Sequence, residues 1–202
     1  MNLKDTYNTI AEDWFKDHHD DAWWVEGTDQ FISLLKKGDV VLDVGCGAGV
    51  KSKYLSEKEF KVVGIDFSDK MVKIARREVG SAVFYVADVK DLSSIPETFD
   101  GIFAQAVLLH IPKAEVMTTI AGLKNKLKDG GYLYIAVKEK RPEGKEEEVR
   151  RENDYGYRYE RFFSYFVLPE LKEYLAELRM KMCYENISRV GDTNWIQVIC
   201  QK

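Results

Sequence analysis

Val40-Val41-Leu42-Asp43-Val44-Gly45-Cys46-Gly47-Ala48-Gly49-Val50 joins an apolar run to an acid and three alternating glycines. Val40, Val41, Leu42 and Val44 are the β-branched and aliphatic residues that fill a parallel strand covered on both faces. Gly45, Gly47 and Gly49 strip the following turn of Cβ atoms, so the backbone bends sharply and a ligand can lie against it. Residues 50–58 then read as a helix whose first amides point back at the turn and favour an anion. For the glycines taken alone, a tight strand-to-helix turn that binds nothing is the alternative.

The next segments narrow the choice. Residues 60–65, Phe-Lys-Val-Val-Gly-Ile, form a second strand pattern that ends in Asp66, 21 positions after Gly45. A doubly wound sheet places an acid there to take both hydroxyls of a ribose, since one carboxylate accepts two hydrogen bonds from a diol. Residues 82–87 form a third strand pattern ending in Asp88, where an acid can accept a hydrogen bond from an adenine amino group. Three successive strands thus end in an acid or a glycine turn along one edge, a far more specific signal than a lone glycine motif.

A dinucleotide turn requires G-x-G-x-x-G. Counted from Gly45, the third glycine position is Val50, and Asp43 stands two residues before the first glycine, where it repels a diphosphate. That acid suits a ligand carrying a positive ammonium or sulfonium group. With residues 43–49, Asp66 in Gly-Ile-Asp-Phe-Ser, Asp88 in Ala-Asp-Val, a strand Phe99-Asp100-Gly101-Ile102-Phe103, and a Lys128-Asp129-Gly130-Gly131 turn before a strand at 132–137, the chain resembles the class I S-adenosylmethionine-dependent methyltransferases over nearly its whole length. It is most similar to the small single-domain enzymes that methylate metabolites.

The resemblance implies an α/β fold: a doubly wound, Rossmann-like, seven-stranded sheet, mostly parallel with one antiparallel strand and helices on both faces. It implies S-adenosylmethionine as cofactor, S-adenosylhomocysteine as product and a small-molecule methyl acceptor. The cofactor contacts it carries over are Tyr7, Asp43, Gly45, Cys46, Gly47, Gly49, Asp66, Phe67, Met71, Asp88, Val89 and Gln105. An RNA or protein methyltransferase, and a catalytically silent cofactor-binding module, are the competing functions; a nicotinamide-dependent oxidoreductase is disfavoured by Val50.

Composition fits one domain over 1–202. At 202 residues and 45% hydrophobic, the chain can bury one substantial core. The net charge of −4 and a pI near 5.5 argue against a broad phosphate-binding face, and so against nucleic acid. No apolar run reaches the ~18 residues of a membrane span, and no signal-peptide core opens the chain, so the expectation is a cytoplasmic monomer or weak homodimer. Cys46, Cys183 and Cys200 lack a close-pair spacing and indicate neither a disulfide framework nor zinc.

Repeated βα units follow the glycine turn: helix 68–78 with Ser68 as N-cap, strand 101–106, helix 113–127, then helix 169–178 and two strands near 182–187 and 195–200 that form a hairpin. Residues 1–37 have helical spacing and are expected to form a lid over the carboxyl edge, with Tyr7 near the methionine part of the cofactor, as in the family. Trp14, Trp23 and Trp24 read as lid or core aromatics.

His110, after the fourth strand, is the general-base candidate because its ordinary pKa lies near neutrality; ordering the loop before Pro112 is the alternative. Residues 138–168 are expected to form an acceptor-side insertion, with Tyr157, Arg158 and Arg161 making an apolar slot with a cationic end. Asp17-His18-His19-Asp20-Asp21 only superficially resembles a metal cluster, since adjacent residues rarely converge on one ion, and no metal is expected.

Overall fold

The computed structural model describes residues 2–202. Two helices, α1 (Leu3–His18) and α2 (Val25–Ile32), precede the first strand, β1 (Val40–Val44). Then come α3 (Val50–Glu57), β2 (Lys61–Asp66), α4 (Asp69–Glu78), β3 (Val83–Val86) and β4 (Phe99–Gln105). A single 3-10 turn (Leu108–His110) leads to α5 (Lys113–Lys126), β5 (Leu127–Lys138), β6 (Glu147–Glu152), β7 (Tyr159–Ser164), α6 (Leu168–Glu177), β8 (Lys181–Val190) and β9 (Thr193–Gln201).

Seven strands form one sheet in the order β3-β2-β1-β4-β5-β9-β8, and β6 and β7 form a separate antiparallel ribbon. The first five strands pair in parallel, while β9 runs antiparallel to both of its neighbours. This is the expected sheet with one reversed strand. Its interior strands are apolar because helices cover both faces: Val41, Leu42, Ile102, Phe103, Ile135 and Val198 have no exposed surface. On one face, Phe31 of α2 packs on Phe103, whose ring lies parallel to Tyr134 at 4.6 Å.

From β1 the chain moves outward through β2 to β3, then returns to the other side of β1 as β4. The helices flanking β1 and β4 therefore diverge, leaving a crevice at the carboxyl ends of these two strands. Ser68 caps α4 as its residue type predicts, accepting a hydrogen bond from the Met71 amide at 3.2 Å.

Three elements differ from the sequence reading. Residues 128–131 are part of an extended β5, not a free turn before it. A register shift between Phe99 and Gly101 accommodates them, and the last residue ties them down: Gly130 N donates to Lys202 O and Lys202 N to Gly131 O. The N-terminal region divides in two. Only α1 and the segment after it reach the crevice, whereas α2 spends its apolar face on the sheet. Finally, the insertion is an ordered ribbon, with Tyr159, Arg161 and Phe163 alternating inward along β7 as a strand requires.

Candidate active site

A cavity of about 1030 Å³ opens over the carboxyl edge of the sheet. Its floor is the glycine turn and the ends of β1 to β4. Residues of α1 form its roof, and its far wall comes from Lys138, the β7 side chains and Trp195.

The turn uses its glycines in different ways. All three have left-handed backbones, with φ of +62° at Gly45, +53° at Gly47 and +86° at Gly49, which L side chains adopt only under strain. Gly47 lines the cavity, and a Cβ there would meet nothing within 4 Å, so its bare face is open to a ligand. Gly49 does not line the cavity. A Cβ on it would lie 3.1 Å from Ala75 Cβ and from Val79, so this glycine lets α3 approach α4. Gly45 lines the cavity and also packs, since a Cβ on it would lie 2.6 Å from Val107 Cγ2; of the expected cofactor contacts, Gly49 alone lies outside the cavity lining.

Two buried carboxylates flank the turn. Asp43 is 2% exposed and accepts a 2.6 Å hydrogen bond from Ser52 Oγ. Asp66 is 8% exposed and accepts from the Gly47 amide at 3.0 Å and the Ser68 amide at 2.8 Å. Burial pushes each carboxyl up to about 6, against the pull of those hydrogen bonds. Each oxygen of Asp66 keeps a lone pair for another donor. Asp88 is exposed at the cavity margin, holding the Lys90 amide through one oxygen, with Val89 buried beside it. Cys46, Phe67 and Met71 complete this end; burial holds the Cys46 thiol well above its ordinary range.

Gln105, at the end of β4, lines the cavity with both side-chain polar atoms buried and without a partner. A buried amide left unbonded costs free energy, so this side chain suits a polar ligand group. The open glycine face, the paired acids and Gln105 together fit a cationic nucleoside.

His110 and Tyr7 meet in the roof. His110 Nδ1 lies 2.7 Å from the Phe162 carbonyl, which can only accept, so Nδ1 carries the proton. Burial pulls the imidazole down to about 3, leaving the ring neutral. Nε2 therefore accepts, and the Tyr7 hydroxyl, 2.8 Å away, donates to it. Both ring nitrogens are engaged, and burial raises the Tyr7 hydroxyl above its ordinary range.

Helix α1 is fastened on both sides of the cleft. Thr6 Oγ1 donates to Glu160 O and Tyr157 Oη to Asp13, joining it to the ribbon; Ser68 Oγ donates to Asn8, and Arg77 pairs with Glu12, joining it to α4. The ribbon residues singled out in the sequence thus separate. Arg161 enters the cavity wall, but its Nε and Nη2 are held by Glu152 at 2.5 and 2.7 Å. Tyr157 is spent on α1, and Arg158 is exposed. His18 stacks on Trp14 with centroids 3.7 Å apart, and its Nδ1 bonds the Trp14 carbonyl. Among the described residues no three His, Cys, Asp or Glu side chains converge as a metal site.

Sequence reasoning missed Lys138 and Trp195. Lys138 directly follows the apolar run of β5, so it sits at the same sheet edge as the acids, and that position was its available signal. Trp195 is at the start of β9, and because β9 is reversed its beginning lies at the edge where the parallel strands end.

Residues 41–131 match a family described as a methyltransferase domain. A ubiquinone biosynthesis O-methyltransferase of Dechloromonas aromatica is 32% identical over 151 residues, covering 68% of this chain and 63% of that protein. The chain thus spans just under two thirds of that relative's length. The fold is shared with a Burkholderia thailandensis 1,6-didemethyltoxoflavin-N1-methyltransferase, solved with bound 1,6-didemethyltoxoflavin and S-adenosylhomocysteine, at a TM-score of 0.78, 21% identity and coverage of 99% of this chain and 87% of that one. It is shared also with a Methanosarcina mazei S-adenosylmethionine-dependent methyltransferase, at a TM-score of 0.74, 24% identity and coverage of 84% and 95%. Over the matched segment the chain is similar to this methyltransferase domain family, and it shares the fold of these S-adenosylmethionine-dependent methyltransferases.

Proposed function

We propose that the protein transfers a methyl group from S-adenosylmethionine to a small-molecule acceptor. The observation that carries this reading is the two-ended cavity: carboxylates and an open glycine turn at one end, an aromatic wall at the other, roofed by α1. A roofed cavity of this size suits a cofactor and a metabolite better than a macromolecular surface. The printed names of the Dechloromonas and Burkholderia proteins, both acting on small molecules, support it.

In this reading Asp66 accepts the ribose hydroxyls and Gly45, Cys46 and Gly47 lie against the nucleoside. Asp88 and Val89 take the adenine, with Phe67 and Met71 packing around it. Asp43, Gln105 and Tyr7 surround the methionine end. When bound, S-adenosylmethionine would supply an activated methyl carbon for in-line attack by the acceptor's nucleophile, the carbon–sulfur electron pair leaving on sulfur. The protein's contribution is alignment and exclusion of water. His110 holds Tyr7 over the cleft. It becomes a base only for an acceptor whose own O–H or N–H displaces the Tyr7 hydroxyl from Nε2.

The test uses methyl-labelled S-adenosylmethionine in a cell extract separated by size. Label in the metabolite fraction is expected; label confined to RNA or protein overturns the small-molecule reading in favour of a macromolecular acceptor. Label in no fraction, with the cofactor bound, favours the catalytically silent module.

A further inference from the structure

The far wall of the cavity holds a cation without a counter-ion. Lys138 closes β5, half-buried, with its ammonium 4.5 Å from the ring centre of Phe163 and 5.9 Å from that of Trp195. Trp23 packs on Trp195 at 4.4 Å and stiffens that side. Among the described residues no carboxylate pairs with Lys138. The acids nearest in effect are already committed: Glu152 is bidentate on Arg161, and Glu148 accepts from the Tyr165 hydroxyl at 2.7 Å. Two more guanidinium groups, Arg161 and Arg150, approach the same Phe163 ring at 5.2 and 5.8 Å. Asp154, which also lines the cavity, accepts from the Tyr159 hydroxyl at 2.8 Å, so the Lys138 ammonium is left without a carboxylate at this end, while Asp43 and Asp66 hold the other.

We propose that this corner seats a carboxylate on the methyl acceptor, which is an aromatic acid with its ring along the aromatic wall at Trp195 and its carboxylate on the Lys138 ammonium. The inference rests on the methyltransferase reading above and specifies its acceptor. The aromatic ring follows from the Trp195 wall, since a π-system gains from offset or edge contact with another. The anion follows from the unpaired ammonium, which in a half-buried site gains more from a charged partner than it would in water. Arg161 does not take this role, because the Nε and Nη2 that would grip a carboxylate are held by Glu152. Burial, with Arg161 and Arg150 close by, draws the Lys138 amine down to about 8; an anionic ligand reverses that penalty.

The test is calorimetric titration of the protein saturated with S-adenosylhomocysteine, using matched acid and amide pairs: benzoate and benzamide, 2-naphthoate and 2-naphthamide, quinoline-2-carboxylate and its amide. At least one acid is expected to bind about tenfold tighter than its amide, as a charge-assisted hydrogen bond predicts. Lys138→Met should abolish the preference and Lys138→Arg should keep it, with S-adenosylhomocysteine affinity unchanged in both. Equal binding of every acid and amide by the wild-type protein overturns the inference without any variant, and so does a preference that survives Lys138→Met. Failure of the wild-type protein to bind S-adenosylhomocysteine overturns the underlying methyltransferase reading and this inference with it. Cofactor binding without acid preference overturns the inference alone.

Discussion

Asp43 and Asp66 hold their protons up to about pH 6 because burial disfavours their charge, and a cation beside them removes that penalty. The sign follows directly. In the folded, unliganded protein both carboxyls bind protons more tightly than in the unfolded chain, so they oppose folding above about pH 6 and cease to do so as the pH falls toward their ordinary range. Cofactor binding should run the other way. Affinity for S-adenosylmethionine should be flat above about pH 7 and fall below pH 6, with up to about two protons released per cofactor bound, each contributing up to tenfold per pH unit. Calorimetry in buffers of different ionisation enthalpy counts those protons, and a flat affinity down to pH 5 would remove both acids from the cofactor site. The Tyr7–His110 pair makes a second prediction at this scale. Tyr7→Phe and His110→Ala should each slow single-turnover methyl transfer, and the double variant should be no slower than the worse single one, because each removes the same hydrogen bond. Full additivity would mean that the two act separately. The sequence marked both residues, but it gave His110 a neutral-range base because exposure cannot be read from residue type. Only the packed structure shows the Phe162 carbonyl on one nitrogen and Tyr7 on the other.

Among the elements, the glycine turn and the ribbon differ in how far they were legible. Asp43 through Gly49 could be read because a strand pattern, an acid and three glycines lie contiguously, and local sequence dictates a local turn. Even so, spacing did not separate Gly47, open to the cavity, from Gly49, pressed against α4, since that distinction depends on Ala75 and Val79 from another helix. Gly47→Val should therefore abolish S-adenosylhomocysteine binding, through strain at φ +53° and a side chain in the ligand's place. Far-UV circular dichroism should show the fold retained, at a cost of about 1–3 kcal/mol for the strained backbone. Tight binding in this variant would make the turn purely structural. The ribbon was less legible. Its charged residues resemble a solvated loop, and their period-2 alternation becomes meaningful only when β7 lies against α1 and the turn at Leu108–His110. The choice of Arg158 and Tyr157 as cavity groups failed for that reason, whereas Arg161, two positions along from Tyr159, faces inward.

For the whole molecule, the sheet order was legible because alternating βα units permit few topologies, and the reversed last strand followed from a short tail hairpin. The long-range consequence was not: reversal brings Trp195 and the end of β5 to the same edge as three acids, so that one cavity has buried carboxylates at one end and Lys138 at the other. Helix α1 then bridges α4 and the ribbon over it, which makes cofactor binding and closure of the roof parts of one assembly. The central claim is that the acid and glycine turn of β1, with Asp66, selects a sulfonium nucleoside over a dinucleotide. Calorimetric titration of the wild-type protein at pH 7.5 with S-adenosylmethionine, S-adenosylhomocysteine, NAD and NADP tests it most directly. The prediction is saturable 1:1 binding of the two S-adenosyl compounds and none of the dinucleotides, whereas binding of NAD or NADP with no response to S-adenosylmethionine would contradict it.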